Sequence, residues 1–459
     1  MKGVSRMKTP FLLSVGLAVV ANASAASVDD GATGMSKGQY LSRLGDCAAC
    51  HTAIKGPLYA GGLAIEAPVG TIFSSNITPD KATGIGNYSL EDFQQAVRHG
   101  IRQDGSTLYP AMPYPSYSLM SDGDIAALYD YFMHEVPAVA APNRSADIPW
   151  PLSMRWPLAL WRKLFAPTPA PFSGAPVKDA QLARGAYIVE GPGHCGSCHT
   201  ARGMAMQELA LSDRDGKAYL AGGSIIDGWS VPNLRGNARG GLGNWSEEDL
   251  VLFLKTGRTD HTAAFGGMSD VIAWSTQYLN DYDLQAVARY LKTLPADGPL
   301  PAVRAPVAAV AGLPGHKAYQ DNCALCHGAD GQGIVRMFPP LAGNAMIIAD
   351  QPQSLLKIIL DGAQLPPSHW APSTVQMPGY RGQLGDQQVA DIANYVRQAW
   401  DNHAAPNVAA KDVAAVKAGS DIEIGKTRSD IGWQTMRAQP YGPNWTFSMQ
   451  SHERRDAAQ

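Results

Sequence analysis

"GDCAACHTA", residues 45–53, places two cysteines three apart with a histidine directly behind the second. A C-x-x-C can be a redox pair, half of a zinc site or a haem anchor. The other cysteines decide between them. All six fall in the same pattern: Cys47 and Cys50 before His51, Cys195 and Cys198 before His199, Cys323 and Cys326 before His327. None remains for a structural disulfide. A redox pair does not need a histidine at one offset three times. Zinc takes four ligands, and three identical hooks of three donors share metals only by awkward pairing. On a helical turn, residues at i, i+3 and i+4 project from one face. Two thiols can therefore form thioethers with a porphyrin edge while the adjacent imidazole reaches the iron. The pattern predicts three covalently bound haems c, with the six cysteines as anchors and His51, His199 and His327 as proximal iron ligands.

The amino terminus reads as an export signal over residues 1–25. Lys2, Arg6 and Lys8 form a positive region, Phe11 to Val20 an apolar core, and Ala23-Ser24-Ala25 a small-residue cleavage site. The apolar run is short of the ~18–20 residues that span a bilayer. Covalent haem attachment takes place outside the bacterial cytoplasm, so export and hooks agree. The expected location is the periplasmic face of the cytoplasmic membrane, held peripherally. Removing the signal takes the formal charge from −3 to −6, which argues against a nucleic-acid partner.

The hooks lie 148 and 128 residues apart, room for a unit of about 100 residues each. Internal repeats support this. "GNYSLEDFQQAVRHGIR" from Gly86 aligns with "GNWSEEDLVLFLKTGR" from Gly243, each with a serine three residues before an aspartate, close to a capping box. "SLLKIILDG" from Ser354 is a degenerate third copy. "IAALYDYF", "LQAVARYL" and "VADIANYV" close the units with an apolar helical face; Tyr131, Tyr290 and Tyr395 are expected to pack between terminal helices. Glycine and an aromatic precede each hook on a short helical segment. The expected fold class is all-α: three tandem small haem-binding domains with long loops, over residues 35–140, 179–298 and 313–402. Residues 141–178 and 299–312 read as linkers and 403–459 as a tail.

A sixth iron ligand decides whether a haem carries electrons or does chemistry on small molecules. Met112 in "LYPAMPYPSY", Met268 in "FGGMSDV" and Met377 in "TVQMPGYRG" each follow a hook and precede the last helix of its unit. They stand 61, 69 and 50 residues beyond the hook histidines. Competitors are Met120, Met204, Met206, Met337 and Met346; the ordinary use of a methionine is to fill an apolar gap. His99 and His194 lack a repeated position and read as surface or packing residues.

These motifs, with "NITPDKATGIGNYSLEDF", "YPAMPYPSY", "FGGMSDVIAWSTQYLNDYDLQAVARYLKTLP" and "MPGYRGQLGDQQVADIANYVR", give a chain that resembles the tri-haem cytochrome c subunits of bacterial membrane-bound dehydrogenases. The resemblance covers roughly residues 35–400. It implies cytochrome c domains, with the same six cysteines, three histidines and Met112, Met268 and Met377 as haem attachments. It also implies a separate large catalytic subunit carrying flavin, pyrroloquinoline quinone or a molybdenum cofactor, sometimes a small third subunit, and ubiquinone as electron acceptor. Alcohol, gluconate, sugar or aldehyde would be oxidised on that partner, not here. The chain has no dinucleotide fingerprint of its own. Two other readings remain: a multihaem enzyme such as a peroxidase, which needs an open iron, and a cytochrome feeding a terminal oxidase.

Two segments admit membrane contact. In "WPLSMRWPLALWRKLFAP", Met154, Leu158, Trp161 and Phe165 form a helical stripe flanked by Arg155, Arg162 and Lys163. Its prolines equally suit a linker packed between two units. In the tail, Trp433, Tyr441, Trp445 and Phe447 suit either a headgroup interface or a partner subunit.

Overall fold

A computed structural model describes residues 34–170, 172, 179–298, 310–400 and 402–422. The export signal, most of the 299–312 linker and the aromatic tail residues lie outside the described residues. The fold is mostly α-helical. Its longer helices are α1 (Lys37–Leu44), α2 (Leu90–His99), α3 (Asp122–Asp130), α4 (Trp156–Phe165), α5 (Ala180–Glu190), α6 (Glu247–Thr256), α7 (Gly267–Trp274), α8 (Asp281–Thr293), α9 (His316–Asn322), α10 (Gln353–Asp361), α11 (Asp386–Gln398) and α12 (Ala410–Ile422). The all-α expectation needs one amendment. Three antiparallel hairpins occur among the described residues: β1 (Ala64–Ala67) with β2 (Gly70–Phe73), β3 (Ile225–Ile226) with β4 (Trp229–Ser230), and β5 (Ala363–Gln364) with β6 (Gln376–Met377).

One helix crossing recurs three times. α1 packs on α3, α5 on α8, and α9 on α11. Each crossing is close enough to require glycine. A Cβ on Gly38 would stand 2.1 Å from the Ala127 carbonyl oxygen, on Gly185 1.9 Å from that of Ala286, and on Gly315 2.1 Å from that of Asp391. Each of those carbonyls lies four residues before Tyr131, Tyr290 or Tyr395, which are all buried as expected. Tyr131 nevertheless stands outside an α-helix, because α3 gives way to a π-helical turn at Tyr131–Glu135.

The repeated middle helices form as their caps dictate. Ser89 and Asp92 close a capping box on α2, and Ser246 and Asp249 close one on α6. The third copy, α10, starts at Pro352 without a side-chain cap. Apolar burial divides in two. One core runs through the first two repeats, from Tyr40 to Leu294; the other gathers around Tyr319 and Tyr395 and takes in Val413 and Val416 of α12.

α4 lies between the first two repeats and differs from the expected stripe. Trp161 donates its indole N–H to the Ala205 carbonyl at 2.7 Å and meets the Tyr114 ring edge-on. Leu158, Trp161 and Phe165 are half-buried; the open apolar side chains are Trp156, Leu160 and Leu164, on the other faces of the helix. No helix among the described residues is long and apolar enough to cross a membrane.

Candidate functional site

Each hook is one turn of helix. The amide of His51 donates to the Cys47 carbonyl at 2.9 Å, that of His199 to Cys195 at 2.9 Å, and that of His327 to Cys323 at 3.0 Å. This i→i+4 bond sets both thiols and the imidazole along one face. α1, α5 and α9 deliver the hooks, so the glycine crossings fix where each turn begins.

The imidazoles are oriented alike. His51 Nδ1 lies 2.7 Å from the Ser75 carbonyl, His199 Nδ1 2.9 Å from that of Pro232, and His327 Nδ1 3.0 Å from that of Pro339. A carbonyl only accepts, so Nδ1 carries the proton and Nε2 keeps a free lone pair. Burial lowers the pKa of all three histidines and favours the neutral ring. A neutral imidazole held through Nδ1 is what a metal requires of a histidine ligand. The carbonyls stand 24, 33 and 12 residues beyond their histidines. That irregular spacing explains why the sequence does not announce them.

The first thiol of each hook is held in its neutral form. Burial, with Asp46 adding, pushes Cys47 up to about 12; burial pushes Cys195 to about 12 and Cys323 to about 11. A redox pair or a zinc site works through thiolates of depressed pKa. Among the described residues, no group of three or more His, Cys, Asp or Glu is placed to hold a bare metal ion.

A cavity of about 1160 Å³ opens behind the first hook, lined by Cys47, Cys50, His51 and Met112 and walled by Phe93, Val97, Leu128 and Phe132. It exceeds the roughly 300–1,000 Å³ of ordinary ligand pockets. Cys198 and His194 of the second repeat line the same space. His194 packs here against the first repeat. Its ring hydrogen-bonds the Gly45 carbonyl and lies edge-on to Tyr117, whose hydroxyl donates to that same carbonyl at 2.7 Å.

The structure brings Met112 into the cavity with His51. Met120 lines it too, but sits fully within the core, its carbonyl accepting from Arg98. Met268 lies in the first turn of α7, and Met377 ends β6 opposite Ala363; both are half-buried. Of the competitors, Met204, Met206 and Met337 are exposed and Met346 is half-buried. His99 is half-buried in the last turn of α2.

Comparison with known proteins adds a second line. The cytochrome c family model matches residues 182–295 and 313–400, the second and third repeats. The chain is 50% identical to the cytochrome c subunit of a quinone-dependent alcohol dehydrogenase of Gluconacetobacter polyoxogenes, over 99% of this chain and 100% of that one. It is 50% identical to the gluconate 2-dehydrogenase cytochrome c subunit of Pantoea cypripedii, over 89% of this chain and 95% of that one. The fructose dehydrogenase cytochrome subunit of Gluconobacter japonicus is 38% identical, over 86% and 85%.

Proposed function

Because this chain belongs to the cytochrome c subunits of quinone-linked dehydrogenases, we propose that it relays electrons from a periplasmic catalytic subunit, through three covalent haems c, to ubiquinone. Its own role is non-catalytic, as in those relatives. One observation carries the haem reading: a neutral histidine, fixed through Nδ1 to a backbone carbonyl, recurs at all three hooks.

In this reading Cys47 and Cys50, Cys195 and Cys198, and Cys323 and Cys326 form the thioethers. His51, His199 and His327 stand on the proximal side, and Met112, Met268 and Met377 on the distal side. The three haem units take residues 35–140, 179–298 and 313–402. Haem c supplies a one-electron couple, whose potential rises when methionine opposes histidine and closes the iron to small molecules. The chain's part is to orient the imidazoles, to hold the methionine loops and to exclude water from the clefts. Pro113 and Pro378, directly behind Met112 and Met377, stiffen two of those loops. Near-complete coverage of the alcohol dehydrogenase relatives favours an alcohol as the substrate of the partner, ahead of gluconate, a sugar or an aldehyde. The partner would carry pyrroloquinoline quinone, flavin or a molybdenum cofactor, with or without a small third subunit.

The protein would work exported and peripheral, resting on the outer face of the cytoplasmic membrane. Trp150, Trp156, Leu160 and Leu164 give it an exposed apolar strip to do so. Replacing Trp156, Leu160 and Leu164 by serine should release the complex into the soluble fraction; unchanged sedimentation would rule out the strip.

The haem reading is tested by intact mass and by the pyridine haemochrome spectrum of the denatured chain: three haems per chain, still attached after denaturation. Replacing Met112, Met268 and Met377 singly by alanine should each abolish one methionine–iron absorbance in the oxidised protein. A silent substitution would reassign that ligand, with Met120 next in line at the first hook. Rapid cyanide binding by the unaltered protein would favour the peroxidase reading instead.

A further inference from the structure

The first two repeats are joined by a reciprocal contact that, among the described residues, the third does not share. Tyr40 of α1 donates its hydroxyl to Asp283 Oδ2 of α8 at 2.7 Å and accepts from the Asn280 amide at 3.3 Å. Tyr187 of α5 donates to Asp124 Oδ2 of α3 at 2.5 Å and accepts from the Ser121 amide at 3.5 Å. Asn280 and Ser121 are the N-caps of α8 and α3, and the two aspartates are the third residues of those helices. The same four roles are therefore filled in both directions across the interface.

A cation of its own repeat also holds each aspartate. Arg184 makes a two-pronged contact to Asp283 at 2.9 and 2.7 Å, and Lys37 reaches Asp124 at 2.8 Å. Asp283 is fully buried, and Tyr40, Tyr187 and Asp124 are buried beside it. A buried carboxylate with a charged partner and a hydroxyl has a fixed geometry, because losing either donor strands a desolvated acceptor. The sequence carries the device as Lys37-Gly38-Gln39-Tyr40 and Arg184-Gly185-Ala186-Tyr187; at the third crossing the corresponding residues are Pro314-Gly315-His316-Lys317. The continuous core through the first two repeats and the cavity they share point the same way.

We infer that the first two repeats form one rigid two-haem module, and that Tyr40, Tyr187, Asp124 and Asp283 are the positioning residues that fix one haem against the other. The inference rests on the reading of the hooks as haem sites. Electron tunnelling falls steeply with distance, so a hinge between two adjoining haems would make their exchange rate vary. The latch removes that hinge while touching neither haem's ligands.

The test uses the haem-loaded full chain with Tyr40→Phe and Tyr187→Phe, singly and together. Phenylalanine keeps the rings and removes only the two hydroxyl donors. Two neighbouring haems held at one angle give a paired positive and negative Soret circular-dichroism signal, which reports their mutual orientation rather than their ligation. The unaltered protein should show this couplet. The double variant should keep three haems and three methionine–iron bands, lose at least half the couplet amplitude, and equilibrate electrons between the two haems several-fold more slowly. Each single variant should show part of the loss, which keeps the test open if the double variant does not fold. Tyr319→Phe, whose hydroxyl serves the Gly328 carbonyl within the third repeat, should leave the couplet intact. An unchanged couplet and rate in the variants, or no couplet in an unaltered protein carrying three haems, would overturn the inference. Fewer than two haems in residues 34–298 would instead overturn the reading of the hooks.

Discussion

At the scale of single residues, the helix crossings depend on three hydrogens. Gly185 has no room for a methyl, with the Ala286 carbonyl 1.9 Å from where a Cβ would lie. Gly185→Ala should destabilise the first two repeats by about 2–3 kcal/mol through forced separation of α5 and α8, read as a lower midpoint of thermal unfolding. The glycines before the hooks are visible in the sequence; the carbonyls that exclude a side chain are not, because they lie 76 to 101 residues away in α8 and its counterparts. Glu190 offers a second test. Burial raises its pKa, which the Tyr290 hydroxyl at 2.6 Å and then Arg214 partly offset. A carboxyl with a raised folded pKa favours folding most below its unfolded value. That contribution is lost as pH rises through the folded value. Glu190→Gln keeps an acceptor for Tyr290 and removes the desolvated charge. Its stability should match or exceed that of the parent at pH 7, by up to about 1 kcal/mol, and the gain should vanish towards pH 4. A clear loss at pH 7 would mean that the Arg214 pair outweighs burial.

At the scale of elements, local signals were legible and facing directions were not. Ser89 and Ser246 announce the starts of α2 and α6, and the structure puts both in capping boxes. Replacing either by alanine should cost about 1 kcal/mol, measurable by chemical denaturation. α4 shows the limit. Its apolar residues and basic flanks are plain in the sequence, but the side facing the protein is set by Tyr114 and Ala205, which no periodicity within the helix reveals. The hook histidines were likewise legible, and the carbonyls that orient them were not. Arg258, next to the glycine that ends α6, looks like the counterpart of Arg102. Arg102 is exposed, whereas Arg258 is buried and reaches the Ala371 and Ser373 carbonyls and Ser373 Oγ at the start of the Met377 loop. Arg258→Ala should therefore perturb the third methionine–iron band and leave the other two unchanged; three equal spectra would sever that link.

At the scale of the whole molecule, the two joins between repeats differ in kind. The first two share an apolar core closed by buried tyrosine–aspartate contacts. The third has its own core and meets the second through mixed contacts: Arg336 with Asp260, Ser354 with the Ser230 amide, Gln277 with the His369 amide, and the Tyr278 ring edge-on to His369. Three hooks in one chain made the repeat legible; which repeats merge depends on contacts between residues some 63 to 243 positions apart. On the proposed reading, this division would keep one pair of haems in a set geometry and place the third beside the other core. The central claim is the relay, and the most direct measurement is made on the complex drawn gently from native membranes. Its c-type absorbance is followed as the partner's substrate and then a ubiquinone analogue are added. The account predicts that all three haems reduce with the substrate and reoxidise with the quinone. Haems that stay oxidised beside an active partner, or a chain that purifies alone and turns over peroxide, would contradict it.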